Sequence, residues 1–144
     1  MKGTCRNIYQ LARQYAELTQ IEASELLNVS IRSLGNYELG NTTPHGDIVE
    51  EMVKIYGTEW LGYEHLRKST KLGKRILPRI DISDIAKSVL VLQKESNDVD
   101  DVKNCMVKIA CDGIIHEHEE ERWSEVTKEI REMAGAALSV VFSK

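Results

Sequence analysis

The chain has 144 residues, 29% of them charged, and a formal net charge of −4. That length suits one ordinary domain or two small ones, and it contains no run of about 20 apolar residues that would span a bilayer. The N-terminus lacks the long apolar core of an export signal, so Cys5, Cys105 and Cys111 read as reduced thiols of a cytoplasmic protein.

In chain order, nearly everything reads as helix. Ile8, Leu11, Ala12 and Tyr15 recur at i, i+3, i+4 and i+7 and predict a first helix. Thr19 is an N-cap for a second, with Glu22 three residues on as a capping box requires. Ala23, Leu26 and Leu27 give that helix its apolar face. Asn28 suits a tight turn, because asparagine tolerates left-handed backbone. Ser30 then caps a third helix that stops at Gly40. Two short helices and a tight turn within about twenty residues form the unit that sets a second helix in the DNA major groove. After Pro44 and Gly46, the stripe Ile48, Val49, Met52, Val53 and Tyr56 predicts a fourth helix ending at Gly57. Thr58 caps a fifth, with Trp60, Leu61 and Leu66 for its buried side.

Lys68, Lys71, Lys74 and Arg75, with Gly73, Pro78 and little apolar content, predict a basic linker over 69–80. It reads as a solvated connector or as a segment that follows a phosphate backbone. Beyond it, Ile82, Ile85, Ala86, Val89 and Leu92 predict another helix, capped by Ser83 and broken at Asn97-Asp98. Val99, Val102, Met106 and Ile109 predict the next, ended by Asp112-Gly113. Trp123, Val126, Ile130, Met133, Ala137 and Val140 are spaced 3, 4, 3, 4, 3, a heptad seam, which Ala134, Leu138 and Val141 widen. Charge divides along the same line. Residues 1–80 hold eleven Lys/Arg and nine Asp/Glu, whereas 81–144 hold eight and fourteen. The local patch, not the total, decides phosphate contacts, so the first half is the one suited to meet DNA.

Leu18-Thr19-Gln20, Ala23, Leu26-Leu27, Val29-Ser30, Tyr37-Glu38, Gly40 and Pro44 together resemble the phage repressor/Cro, or XRE, type of helix-turn-helix, over residues 7–68. Two positions depart from it. Ser24 replaces the usual alanine between the helices, and Gly35 sits in mid-helix, where glycine costs roughly 1 kcal/mol against alanine. The resemblance implies a five-helix DNA-binding domain over 1–68; the apolar stripes beyond the linker add a helical dimerisation or interaction region over 81–144, so the whole chain is expected to be all-α. It implies that Gln20 contacts phosphate and braces the recognition helix, and that Asn41, Thr42 and Thr43 also meet phosphates. That loop has no Lys or Arg, so its electrostatic share is small. It further implies an ion pair between Arg13 and Glu38.

Base reading falls to the first turns of the second motif helix. Arg32 can fork onto guanine O6 and N7, Asn36 can pair with adenine, Ile31 can pack on a thymine methyl, and Ser33 can donate or accept. Ser30, at the start of that helix, lies at backbone-contact height. Leu34 and Tyr37 face the core. His116, His118, Glu119, Glu120 and Glu121 suggest a metal only superficially. On a helix the two histidines stand about 200° apart, and an acidic helix start is the simpler reading. No phosphate-cradling glycine loop, nucleophile elbow or zinc signature is present. The expectation is therefore a non-enzymatic, sequence-specific transcriptional regulator of bacterial or prophage type, without cofactor or metal. It would bind double-stranded DNA as a homodimer through Trp123, Val126, Ile130, Met133 and Ala137. The alternative is that the C-terminal half docks a second protein, as an antitoxin or the target of an antirepressor does.

Overall fold

Several helices start where a side chain satisfies a free backbone amide. In the computed structural model, which describes residues 7–143, Asn7 accepts a hydrogen bond from the Tyr9 amide at 2.9 Å and opens α1 (Ile8–Tyr15). Thr19 and Glu22 form a reciprocal capping box at α2 (Gln20–Leu26), and Asn28 turns the chain at φ 53°. Ser30 accepts from the Ser33 amide at 3.0 Å and opens α3 (Ile31–Leu39). Gly40 closes α3 in the left-handed conformation at φ 76°, which glycine adopts without penalty. Then follow α4 (Gly46–Tyr56) and α5 (Glu59–Ser69); Thr58 precedes α5 but does not cap it as expected, because its buried hydroxyl accepts from no amide of the first turn. Cys5 lies outside the described residues.

The chain divides into two compact units, Met1–Ile76 and Leu77–Lys144. In the first, Tyr9 and Ala12 of α1, Ala23 of α2, Leu34 of α3, Val49, Met52 and Tyr56 of α4, and Trp60 and Leu61 of α5 form the core. Each helix contributes one stripe to it, as the periodicities require. The stretch read as a basic linker is not all linker. Residues Lys71–Ile76 form a sixth helix, α6, packed on α5 and capped where Thr70 Oγ1 accepts from the Gly73 amide at 2.8 Å. Its apolar residues Leu72 and Ile76 stay exposed, so no amphipathic stripe announces it.

The second unit is an antiparallel hairpin of two long helices, α7 (Ile85–Ala110) and α8 (Glu120–Phe142), joined through a 3-10 turn at Glu117–Glu119. The break expected at Asn97-Asp98 does not occur, and the two helices foreseen there are one of 26 residues. Asparagine and aspartate are weak helix formers but not breakers, at well under 1 kcal/mol each. Lys94 Nζ also ties Asp98 across one turn at 2.7 Å, and packing against α8 continues past the site. The cap is Asp84, whose carboxylate accepts from the Lys87 amide at 2.9 Å. Ser83 instead pairs with Ser88 at 3.2 Å.

Residues 77–84 run without helix along α8. The Asp81 amide donates to Ser139 Oγ at 2.9 Å, and that hydroxyl donates to the Gly135 carbonyl at 2.8 Å. Gly135 is buried there, and a Cβ on it would collide with the Arg79 carbonyl oxygen. Gly135→Ala therefore gains helix propensity of about 1 kcal/mol but must push a backbone segment away, at about 1–3 kcal/mol for overpacking. Thermal unfolding of the variant is expected to show a net loss in melting temperature; a rise would mean that the segment yields freely.

Candidate nucleic-acid interface

Three helices of the first unit are tied together at one point. Arg13 of α1 donates from Nε to Glu38 Oε1 at 2.6 Å and from Nη2 to Oε2 at 2.8 Å, a two-pronged contact with the end of α3. Its remaining arm, Nη1, donates to the Leu18 carbonyl at 2.7 Å. Gln20, at the start of α2, donates from Nε2 to Glu38 Oε2 at 2.8 Å. Both charged side chains are nearly sealed from water, at 10% and 2% exposure. The Glu38 hydrogen bond raises the Arg13 pKa, against the opposing effect of burial. The neighbouring Tyr56 hydroxyl is pushed up to about 12, chiefly by burial and then by the Glu38 charge.

That clamp fixes which side of α3 looks out. Leu34 and Glu38 point into the domain, while Ile31, Arg32 and Leu39 are exposed and Ser33, Gly35 and Asn36 half-buried. At 100° per residue, Arg32, Ser33, Asn36 and Leu39 lie on the side away from Leu34 and Glu38, Gly35 lies at its margin, and Ile31 is exposed in the first turn of the helix. The Ser33 hydroxyl also meets Ser30 Oγ at 2.8 Å. Asn36 Oδ1 accepts from the Asn41 amide group at 3.3 Å, and its backbone carbonyl accepts from the Asn41 and Thr42 amides at 2.9 and 3.4 Å. The exposed loop Asn41, Thr42 and Thr43 is thus anchored to the last turn of α3. Gln20 spends its side-chain nitrogen on Glu38, so the bracing role expected of it has a visible partner. Leu39 escaped the sequence reading. The signal was available, since Ile31, Gly35 and Leu39 recur at i, i+4 and i+8.

Elsewhere, the Tyr9 hydroxyl and His65 Nδ1 share a 2.8 Å hydrogen bond between α1 and α5. Burial lowers the His65 pKa and raises that of Tyr9. His116 and His118 are not on opposite sides of a helix as expected. They flank the first residue of the 3-10 turn, their rings stack at 5.7 Å, and His116 Nε2 meets the Asp112 carboxylate at 2.9 Å. Among the described residues, oxygens of Glu95, Glu129 and Glu132 come within 4.8 Å of one another. Lys94 neutralises the first at 3.0 Å, and Lys128 approaches the other two at 3.7 and 3.8 Å. Of the residues expected at a dimer contact, Val126 is only 1% exposed within a single chain. It belongs to the interior of the hairpin, because its seam position turns toward α7. Trp123, Ile130, Met133 and Ala137 are half-buried. No helix is long and apolar enough to cross a membrane among the described residues.

Residues 10–61 match the model of the helix-turn-helix family. No curated protein and no solved structure gives a significant match to the chain. Residues 10–61 thus form a helix-turn-helix domain of the XRE type, and that domain supports a DNA-binding helix-turn-helix regulator.

Two outcomes are expected of this domain. Glu38→Ala leaves a buried arginine unpaired, which costs about 3–5 kcal/mol; a melting temperature equal to that of the parent chain would show that Arg13 finds water instead. For His65, the folded pKa lies below the unfolded value of 6.5. Its neutral form therefore contributes stability that is complete above pH 6.5 and is lost as pH falls from there toward the folded pKa. Thermal melts across that window are expected to decline less steeply for His65→Gln than for the parent; parallel slopes would remove His65 as the cause.

Proposed function

We propose that the chain is a sequence-specific transcriptional regulator of bacterial or prophage type that binds duplex DNA as a homodimer. The observation that supports base reading is the outward side of α3. It offers an unpaired fork donor at Arg32, an amide at Asn36 and an apolar tip at Ile31 in consecutive turns, with the helix braced from behind by Glu38. Ser33 and Ser30 lie at the edge of that surface. Gln20, Asn41, Thr42 and Thr43 ring it at the height of the phosphates, where backbone amides and small polar groups set register rather than sequence. Exposed Lys71 and Lys74 of α6 add cationic surface to the same unit.

Arg32→Ala should weaken binding to duplexes selected by the parent chain by about 1–3 kcal/mol and relax preference at one base position. An equal loss on all sequences would reassign Arg32 to phosphate.

Dimerisation is supported by what the hairpin leaves uncovered. Among the described residues of the second unit, only Ile109, Val126 and Ala136 are buried apolar residues, fewer than a hairpin of this length needs for independent stability. On α7, Ile85, Val89 and Leu92 lie about a quarter turn from the line of contact with α8. On α8, Trp123, Ile130, Ala134, Ala137 and Val141 lie about a quarter turn from the contact with α7. Because the helices run in opposite directions, both stripes fall on one side of the hairpin. Val89 is 48% exposed there and Val141 69%. A second copy covers such a face symmetrically and forms a four-helix arrangement. It also doubles the number of base pairs read. Val89→Glu and Ile130→Glu should each yield helical monomers in sedimentation and bind selected duplexes far more weakly. Dimers that persist in both variants would place the contact elsewhere.

A further inference from the structure

Among the described residues nothing explains the mid-helix glycine of α3. A Cβ built on Gly35 meets nothing within 4 Å, so no neighbour excludes a side chain. Its φ is not positive, so the backbone does not require glycine either. In the interior of a helix the residue still costs roughly 1 kcal/mol against alanine. The two usual reasons for a helical glycine are thus both absent, and the space above it is open.

The neighbours of that space are specific. One turn back stands Ile31, 50% exposed, and one turn on stands Leu39, which at 76% is the most exposed of the large apolar residues. Spacing of i, i+4 and i+8 drifts by only about 40° per step, so the three form a single row. The row is a notch: two apolar side chains roughly 12 Å apart along the helix axis, with bare backbone between them. Arg32 and Asn36 flank the row on one side. Among the described residues of the first unit nothing covers Leu39, although an isolated exposed leucine gains nothing from water.

We infer that Gly35 is a specificity-determining position, and that the Ile31–Gly35–Leu39 notch receives the C5-methyl group of a thymine in the major groove. The inference rests on the DNA-reading role of α3 proposed above. A thymine methyl is the one apolar group that the major-groove edges present, and apolar contact is how it is told from cytosine. It is about the size of a missing side chain. A bare helix segment lets it approach the backbone, with Ile31 and Leu39 closing the two ends. A methyl at Gly35 Cβ would fill that volume from the protein side.

The test uses the full chain and duplexes that the parent protein selects from a random pool. In the selected consensus each thymine is replaced singly by deoxyuridine, which removes only the methyl. The parent chain is expected to lose affinity about tenfold at one thymine per half-site. Gly35→Ala is expected to melt at a higher temperature than the parent, to bind the consensus at least tenfold more weakly, and to bind the uracil and thymine duplexes equally at that position. Higher stability with undiminished affinity and intact methyl discrimination would overturn the inference, as would a parent chain indifferent to every replacement. Ile31→Ala and Leu39→Ala, which keep the glycine, are expected to reduce the same discrimination; no change in both would equally overturn it. A chain that enriches no duplex at all would fail at the earlier step, as a reader of sequence, and not at the notch.

Discussion

Two opposite charges, buried together where three helices meet, organise the DNA-binding domain. Arg13 and Glu38 satisfy each other through two hydrogen bonds, and the remaining valences go to the Leu18 carbonyl and Gln20. Removing two ions from water is costly, and the mutual attraction offsets that only with nearly complete hydrogen bonding. The geometry here is nearly complete. Its yield is positional. The end of α3 is held against α1 and the start of α2, so rotation of α3 about its own axis is blocked. Leu34, with no exposure at all, blocks it a turn earlier. The outward row of α3 therefore presents one fixed set of groups, which is what discrimination among base edges requires.

The second unit solves a different problem. Two helices alone share one contact line and leave most of their surface wet, so the amphipathic stripes of α7 and α8 exceed what they can give each other. The segment 77–84 covers part of α8 on one side, where Gly135, Ala136 and Ser139 are buried. The other side keeps Ile85, Val89 and Val141 exposed. This division, one flank closed by the chain itself and one left apolar, is the physical ground on which the proposed pairing with a second copy rests. Acidic residues predominate in 81–144, which sets this unit apart from the surface proposed to meet phosphate.

Local chemistry made the first unit legible in the sequence. Thr19 with Glu22, Ser30 and Gly40 mark helix ends through hydrogen bonds that reach no further than four residues, and periodicity found the core stripes of α1, α4 and α5. The Arg13–Glu38 pair was legible through family resemblance, because nothing local joins residues 25 apart in sequence. Reading failed where tertiary packing overrides weak local preference. Asn97 and Asp98 look like a break, yet α7 runs through them with Lys94 bonded to Asp98. Residues 71–76 look like a connector because a short helix resting on α5 needs no regular apolar stripe. His116 and His118 were judged on α-helical geometry, whereas a 3-10 turn stacks their rings. A heptad seam does not say whether its partner helix lies in the same chain, and Val126 is buried within its own hairpin. Leu39 went unnoticed because one exposed leucine is ordinary in a sequence and acquires meaning only beside an empty Gly35.

The central claim is that α3 reads bases and that two copies read together. Selection of duplexes from a random pool by the full chain addresses both at once. The account expects a short motif enriched twice, in inverted orientation, with centres about one helical turn or a multiple of it apart. A bound pool without any shared sequence would contradict base reading by α3, and a single unpaired motif would contradict the dimer.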